Sequence, residues 1–247
     1  MIIDKSKISL EDLTAFEKID YKKIEKEIDF TDIKVNKPWG YEYLLFENQD
    51  VSIWILYINP HHKTSMHCHE NKNTSLISLS GQITCKTFDK ENTLDELNGI
   101  YLGKKVFHQT LNQTENVAVV MEIETPVDKF DLVRLNDSYG REKKSYEQED
   151  QYIKEENLTI KNIQKDRYKN RFGEVTVEIG CAQNKSELSK IYTLNNEKVI
   201  ATLLNRNIWS VEGNKEFEIG QLLVLNNEIL DTYSINDDFT YLLLRKD

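Results

Sequence analysis

The sequence predicts an all-β fold of the sandwich or barrel kind, and three observations carry that expectation. From residue 34 onward, short runs rich in Val, Ile, Thr, Tyr and Phe recur at close spacing, broken by Asn, Asp and Gly. Amphipathic helix-like patterning opens the chain at residues 8–30, ahead of these runs. The tail GQLLVLNNEILDTYSINDDFTYLLL (220–244) also repeats the strand–turn–strand rhythm of GIYLGKKVFHQTLNQTENVAVVMEI (99–123), as a degenerate internal duplication would. Many short strands so arranged point to sandwiches and barrels.

The elements follow in order. Residues 8–30 read as one or two amphipathic helical pieces, with Ser9 or Asp12 as cap and Glu/Lys pairs at helical spacing, forming an arm for packing or a dimer contact. Strands are expected at 41–46, 51–58, 75–79, 82–88, 99–102 and 117–123. The polar stretch 142–158 reads as a linker or exposed helix. Strand-like runs return at 175–179, 198–204, 207–212, 221–225, 229–235 and 239–244. The expected organisation is an arm (1–33), a first β domain (34–141), a linker (142–158) and a second β domain (159–247).

The composition narrows the function classes. With 39% hydrophobic and 30% charged residues, the 247-residue chain has the balance of a soluble globular protein. No apolar run approaches the roughly 18 residues of a membrane span. The start, MIIDKSKISLEDL, shows no apolar signal region, so a cytoplasmic location is expected. Cys68, Cys85 and Cys181 suit reduced thiols better than a disulfide frame. A net charge of −10 without a basic stripe argues against nucleic acid. It does not exclude a phosphorylated substrate, because a pocket can be locally basic.

Chemistry concentrates in the first β domain, where all five histidines fall: His61, His62, His67, His69 and His108. On an extended strand alternate side chains share a face, so His67 and His69 project together while Cys68 points the other way. With His108 from a later strand they can give three nitrogen ligands to a metal. A His-x-His pair alone reads better as polar surface, and the residues around it reverse that reading. The surrounding residues add weight, because His67-Cys-His69-x4-Thr74-x6-Gly81 and His108-x3-Asn112 have the layout of the two cupin motifs, His-x-His-x4-Glu-x6-Gly and His-x3-Asn.

Around these residues the chain resembles the cupin domain of type II mannose-6-phosphate isomerases and related sugar-metabolic cupins. The resemblance opens with KPWGYEYLL (37–45), continues through TSMHCHENKNTSLISLSG (64–81) and closes with FDLVRLNDSYGR (130–141). It implies a cupin (double-stranded β-helix, or jelly-roll) barrel. It also implies a second cupin barrel that has lost its metal, with Gly220 where the second motif would begin and Asp231 where its histidine would stand. The chain would then be a bicupin with an N-terminal helical arm.

The chain departs from the isomerases at several places. They usually carry Gln where this chain has His67, and Glu where it has Thr74. A threonine hydroxyl is neutral and a weak ligand, so the centre would be three imidazoles plus water and more positive by one unit, which favours anionic ligands. Glu70 could substitute only if the backbone turns there. By resemblance Arg141 lies near the substrate, and Lys37, Arg134 and Tyr139, with Thr74, are further candidates for substrate binding.

For a base, the available carboxylates are Glu42, Glu122 and Glu124. Glu122 and Glu124 share one strand face, which would be outward and polar on an edge strand and catalytic if buried beside a cation. The expected cofactor is a divalent ion (Zn, Fe, Mn or Ni), the expected partners a small carbohydrate and a second copy of the chain. The leading expectation is a metal-dependent sugar isomerase or epimerase acting on a sugar phosphate or nucleotide sugar for a bacterial surface glycan. A non-catalytic sugar-binding or accessory cupin and a three-histidine iron dioxygenase stand as alternatives.

Overall fold

The computed structural model describes residues 1–21, 27–141, 146–161, 163, 167–184, 186–187, 199–205, 209–211, 215–225, 233–235 and 238–246. Expected strand residues at 198, 207–208, 212 and 229–232, Asp231 among them, lie outside the described residues.

The described residues are mostly β-sheet, with an α-helix near the N-terminus. The first half contains β1 (Ile2–Lys5), α1 (Leu10–Glu17), β2 (Ile33–Lys37), β3 (Gly40–Glu47), β4 (Ser52–Ile58), β5 (Met66–Cys68), β6 (Asn73–Ser80), β7 (Ile83–Lys86), β8 (Glu91–Leu94), β9 (Gly99–Leu102), β10 (Gln109–Leu111), β11 (Ala118–Thr125) and β12 (Val133–Asn136). After them come β13 (Tyr152–Lys154), β14 (Tyr168–Phe172), β15 (Val175–Ala182), β16 (Val199–Leu203), β17 (Trp209–Val211), β18 (Lys215–Phe217), β19 (Leu223–Leu225), β20 (Tyr233–Ile235) and β21 (Phe239–Lys246).

A large sheet in the order β1-β9-β6-β11-β4-β3-β2-β13 organises the first half, faced by the small sheets β10-β7-β8 and β12-β5. Along the large sheet, residues alternate between two apolar clusters. Leu44, Trp54, Leu56, Leu76 and Val120 face the small sheets and meet Ile83, Cys85 and Leu94. Tyr43, Ile53, Ile55, Ile77, Met121 and Ile123 face the other way. That second face is covered by the sheet β14-β15-β21-β16-β19, through Val175, Val177, Ile179, Leu242 and Leu244. The large sheet is therefore covered on both faces, and its central strands β6, β11 and β4 read as nearly unbroken buried runs.

The arm is shorter in helix than its pattern predicts. Among the described residues of the arm only Leu10–Glu17 is α-helical, started by a capping box in which Ser9 and Asp12 bond each other's backbone N–H. Beyond the helix, Ile19 and Tyr21 join Ala15 and Phe16 against Met66, Cys68, Phe107 and Val133, so tertiary packing overrides the helical pattern. The arm is also part of the sheet, since β1 lies parallel to β9 from Ile2 opposite Gly99 to Lys5 opposite Leu102. Within the polar stretch, β13 pairs with β2 and forms an edge of the large sheet.

Asp12 links the arm to the histidine region. Its buried Oδ1 accepts from Phe107 N at 2.8 Å, one residue before His108, while Oδ2 takes Ser9 N at 3.0 Å. Asp12→Ala would strand a buried amide and remove one half of the capping box, together worth about 1–3 kcal/mol. Thermal unfolding should then fall by roughly 3–10 °C. An unchanged melting temperature would show that this anchor does not hold the arm.

Candidate metal centre

The backbone brings the three predicted histidines together. His67 sits in β5 and exchanges both backbone hydrogen bonds with His108, at 3.0 and 2.8 Å, as an antiparallel pair. His69 follows directly after β5, and Cys68 turns away into the cluster with Met66, Phe107 and Val133. The rings of His67 and His108 are 4.4 Å apart, those of His67 and His69 5.3 Å, and those of His69 and His108 5.6 Å. The ligand atoms of the three lie within 4.8 Å of one another.

Their orientation is set from behind. Nδ1 of His67 donates to Ser65 O at 2.9 Å, Nδ1 of His69 to Asp131 O at 2.5 Å, and Nδ1 of His108 to Val106 O at 3.0 Å. A carbonyl only accepts, so each ring must carry its proton on Nδ1 and present a bare Nε2. Nε2 of His69 and of His108 is buried without a hydrogen-bond partner. Such orphaned acceptors are costly unless something else satisfies them.

Burial is the main reason all three rings stay neutral. With added repulsion from neighbouring positive groups, it holds His67 and His69 well below the usual imidazole range. Burial also lowers His108 to about 4. Neutral rings with aligned, unprotonated Nε2 atoms are the donor set a divalent metal requires, and the three histidines fit one.

Carboxylates and cations complete the cavity, whose enclosed volume is about 50 Å³. Glu122 and Glu124 both line it. An outward face for them on an edge strand is overturned: β11 is central, between β6 and β4, and Met121 and Ile123 take the opposite, apolar face. Burial and then repulsion from Glu124 push Glu122 up to about 7. Glu124 is ion-paired to the fully buried Lys72 at 2.5 Å, and its Oε1 is 3.9 Å from His69 Nε2.

On another part of the lining, Glu42 is 3.0 Å from Lys129 and 3.2 Å from Lys37 and accepts from the Tyr146 hydroxyl. Burial alone would raise Glu42, but Lys129 and Lys37 outweigh it and bring it down to about 2. Lys129 lies 3.6 Å from the Trp54 ring centroid, and Lys37 3.7 Å from that of Tyr146.

The remaining candidates are distributed as follows. Arg134 lies opposite His67 in the β5–β12 ladder, so both side chains reach the cavity. Arg141 also lines it, held by two bonds from Nε and Nη2 to Asp137, at 3.0 and 2.8 Å, and by Glu147. Glu147 also pairs with Lys37 and stands 3.9 Å from Arg134. Tyr139 lies off this cavity, beside Arg141 in a neighbouring one. Thr74 is buried in β6 with Oγ1 lacking a hydrogen-bond partner. Glu70 leads away, 3.9 Å from Lys105.

Sequence reasoning passed over Lys72, Lys129, Asp131, Tyr146 and Glu147. Asp131 holds His69 through its carbonyl and the following turn through carboxylate bonds of 2.8 Å to Glu70 N and Asn71 N. It lies inside the motif FDLVRLNDSYGR, which is the signal that could have found it.

The Glu42 network sets an acid limit on stability. Its carboxylate sits below its unfolded value of about 4.3, so its stabilisation is present at neutral pH and is lost as pH falls toward about 2. Glu42→Gln should lower the melting temperature at pH 7 by several degrees, since breaking a buried pair costs about 3–5 kcal/mol. The gap from the parent protein should narrow as melts are repeated at lower pH. A gap independent of pH would show that the charge is not what stabilises.

The family model described as "Mannose-6-phosphate isomerase C-terminal" matches residues 24–137. No curated protein matches the sequence. Among solved structures, a sugar phosphate isomerase from a cupin superfamily, from Silicibacter pomeroyi, is 15% identical with a TM-score of 0.30, over 32% of this chain and 52% of that one. KdgF from Halomonas sp. is 14% identical with a TM-score of 0.36, over 44% and 96%. A conserved protein with a double-stranded β-helix domain from Klebsiella pneumoniae is 13% identical with a TM-score of 0.33, over 34% and 75%. The chain spans about half the length of the Silicibacter protein. Residues 24–137 resemble the mannose-6-phosphate-isomerase type of cupin, and within them lie the three histidines suited to a divalent metal.

Proposed function

We propose that this chain is a metal-dependent isomerase or epimerase acting on a sugar that carries phosphate, as a sugar phosphate or nucleotide sugar. The observation that carries this reading is the shared cavity. His67 and His69, Glu122 and Glu124, and Lys37, Arg134 and Arg141 all line it, with His108 ring-to-ring against His67. Isomerisation next to a carbonyl needs an electrophile, a base and, for this substrate class, a cation for the phosphate.

A divalent ion on His67, His69 and His108 would supply Lewis-acid polarisation of a sugar oxygen. Lys37, Arg134 and Arg141 bind the anionic group, for which it competes with Glu147. The Glu122 carboxylate takes the proton from the carbon beside the carbonyl and holds it for return. Aromatic and aliphatic lining from Trp39, Leu56 and Leu132 limits water around that proton.

The test is exchange at carbon. Metal-restored protein is incubated in D2O with mannose-6-phosphate, fructose-6-phosphate and a nucleotide-sugar panel, and deuterium entering the sugar is read by NMR. Incorporation is expected, with Glu122→Gln slower by about 10²–10⁴-fold. Binding without exchange across the panel would overturn catalysis and leave a sugar-binding protein. Oxygen uptake by an iron-loaded sample would instead identify a dioxygenase. Arg141→Ala should weaken binding of the phosphate-bearing substrate by tenfold or more, at about 1.4 kcal/mol per tenfold. An unchanged dissociation constant would remove Arg141 from the anion site.

A further inference from the structure

Three neutral imidazoles cannot by themselves balance a dication in a buried place. Desolvating such a charge is expensive, and a carboxylate oxygen beside the histidines would lower that cost. Thr74 offers only a neutral hydroxyl.

The neighbouring strand offers more. In the β6–β11 ladder Thr74 stands directly opposite Glu124, and in the β11–β4 ladder Glu124 stands opposite Ser52. Residues opposite one another share a face, so the Glu124 carboxylate enters the same space that the Thr74 side chain faces. Glu124 is 1% exposed. Its Oε1 lies 3.9 Å from His69 Nε2, and its ligand oxygen falls within 4.8 Å of the ligand nitrogen of that histidine in a second metal-competent group with Glu122. Among the described residues no ion pair joins Glu122 to a histidine.

The carboxylate is also fixed from behind, as metal-binding carboxylates are. Lys72 Nζ donates to Oε1 at 2.5 Å, and Ser52 Oγ donates to Oε2 at 3.4 Å. An ionised oxygen has lone pairs enough to accept from Lys72 and still bind an ion.

We infer that Glu124 is the anionic ligand of this metal centre, delivered across the β6–β11 ladder from the position opposite Thr74, with Lys72 and Ser52 as its positioning partners. This rests on the reading that His67, His69 and His108 hold a metal. The centre is then a three-histidine, one-carboxylate site in which the carboxylate comes from β11 rather than from β6, the strand after His69.

Metal binding itself provides the test, with Co2+ as a spectroscopic probe and Zn2+ affinity measured by competition with a chelator. The parent protein should bind one Co2+, and His108→Ala should lose it. Glu124→Gln should weaken Zn2+ binding at least about tenfold and alter the visible Co2+ spectrum. Because Glu124→Gln strands the Lys72 ammonium, the paired variant K72M/E124Q removes both charges and should show the same loss in a protein whose melting is close to the parent's. T74E/E124Q, which returns a carboxylate from the opposite strand, should recover most of the affinity. Parental affinity and spectrum in both Glu124→Gln and K72M/E124Q would overturn the Glu124 assignment while leaving the three-histidine centre standing. A parent that takes up no Co2+ or Zn2+ would overturn that centre, and the assignment with it.

Discussion

Three main-chain carbonyls, those of Ser65, Val106 and Asp131, decide what this cavity can do. By taking the Nδ1 protons of His67, His108 and His69 they fix each ring's rotation and tautomer without spending a side chain. Two of these carbonyls lie two residues upstream of the histidines they hold, so local backbone geometry orients those rings. The third comes from the segment leading into β12, which makes His69 dependent on a distant piece of chain. Asp131 meets that need twice, since its carboxylate also holds the turn of Glu70 and Asn71 that follows His69. Burial then keeps the rings neutral, and neutral rings with exposed lone pairs are what a divalent ion selects.

The charged lining works under a different constraint. Lys37, Lys72, Lys129, Arg134 and Arg141 are all largely removed from water, where an unpaired charge would cost several kcal/mol. Each is matched by a carboxylate on a neighbouring element: Glu42 on β3, Glu124 on β11, and Asp137 and Glu147 after β12. The opposite charges leave the cavity close to balanced when no ligand is present. On the proposed function, a phosphate entering among Lys37, Arg134 and Arg141 would compete with Glu147 for donors already in place, rather than filling a region of bare positive charge. Such a site trades affinity for selectivity, because a weakly charged or badly placed ligand cannot repay the pairs it breaks.

Much of this was legible in the sequence where the signal is local. The spacing of His67 and His69 specifies a shared strand face, and β9 at Gly99–Leu102 follows directly from its apolar run and flanking turns. Ser9 and Asp12 announce the start of α1 by their own chemistry. Non-local features were not legible. Whether Glu122 and Glu124 face water depends on β11 being central and on a sheet from a later part of the chain covering Met121 and Ile123, and no pattern within 118–125 contains that information. Lys72 and Lys129 look like ordinary surface lysines in sequence, because only their partners on other strands make burial tolerable. Glu147 sits in a stretch so polar that composition points to solvent, yet it is drawn inward by Lys37 and Arg141.

The second half supports the site through the same sheet. Its strands β15, β16 and β21 cover the apolar face of β6, β11 and β4, so the strands bearing Thr74, Glu122, Glu124 and Ser52 are backed by packed side chains rather than by water. Its loop at 218–220 also reaches the edge of the large sheet. Ser75 Oγ donates to Gly220 O at 2.6 Å, and Glu218 accepts from Tyr101 at 2.7 Å and from Asn73 at 2.8 Å. These bonds clamp β6 immediately beside Thr74, and a Cβ added at Gly220 would meet Ile123 at 3.3 Å, one residue from Glu124. Interiors packed this closely transmit small displacements instead of absorbing them. The register that sets Thr74 opposite Glu124 is therefore held from both sides of the sheet: by the histidine-bearing strands on the cavity face and by a second half with no histidine of its own on the other.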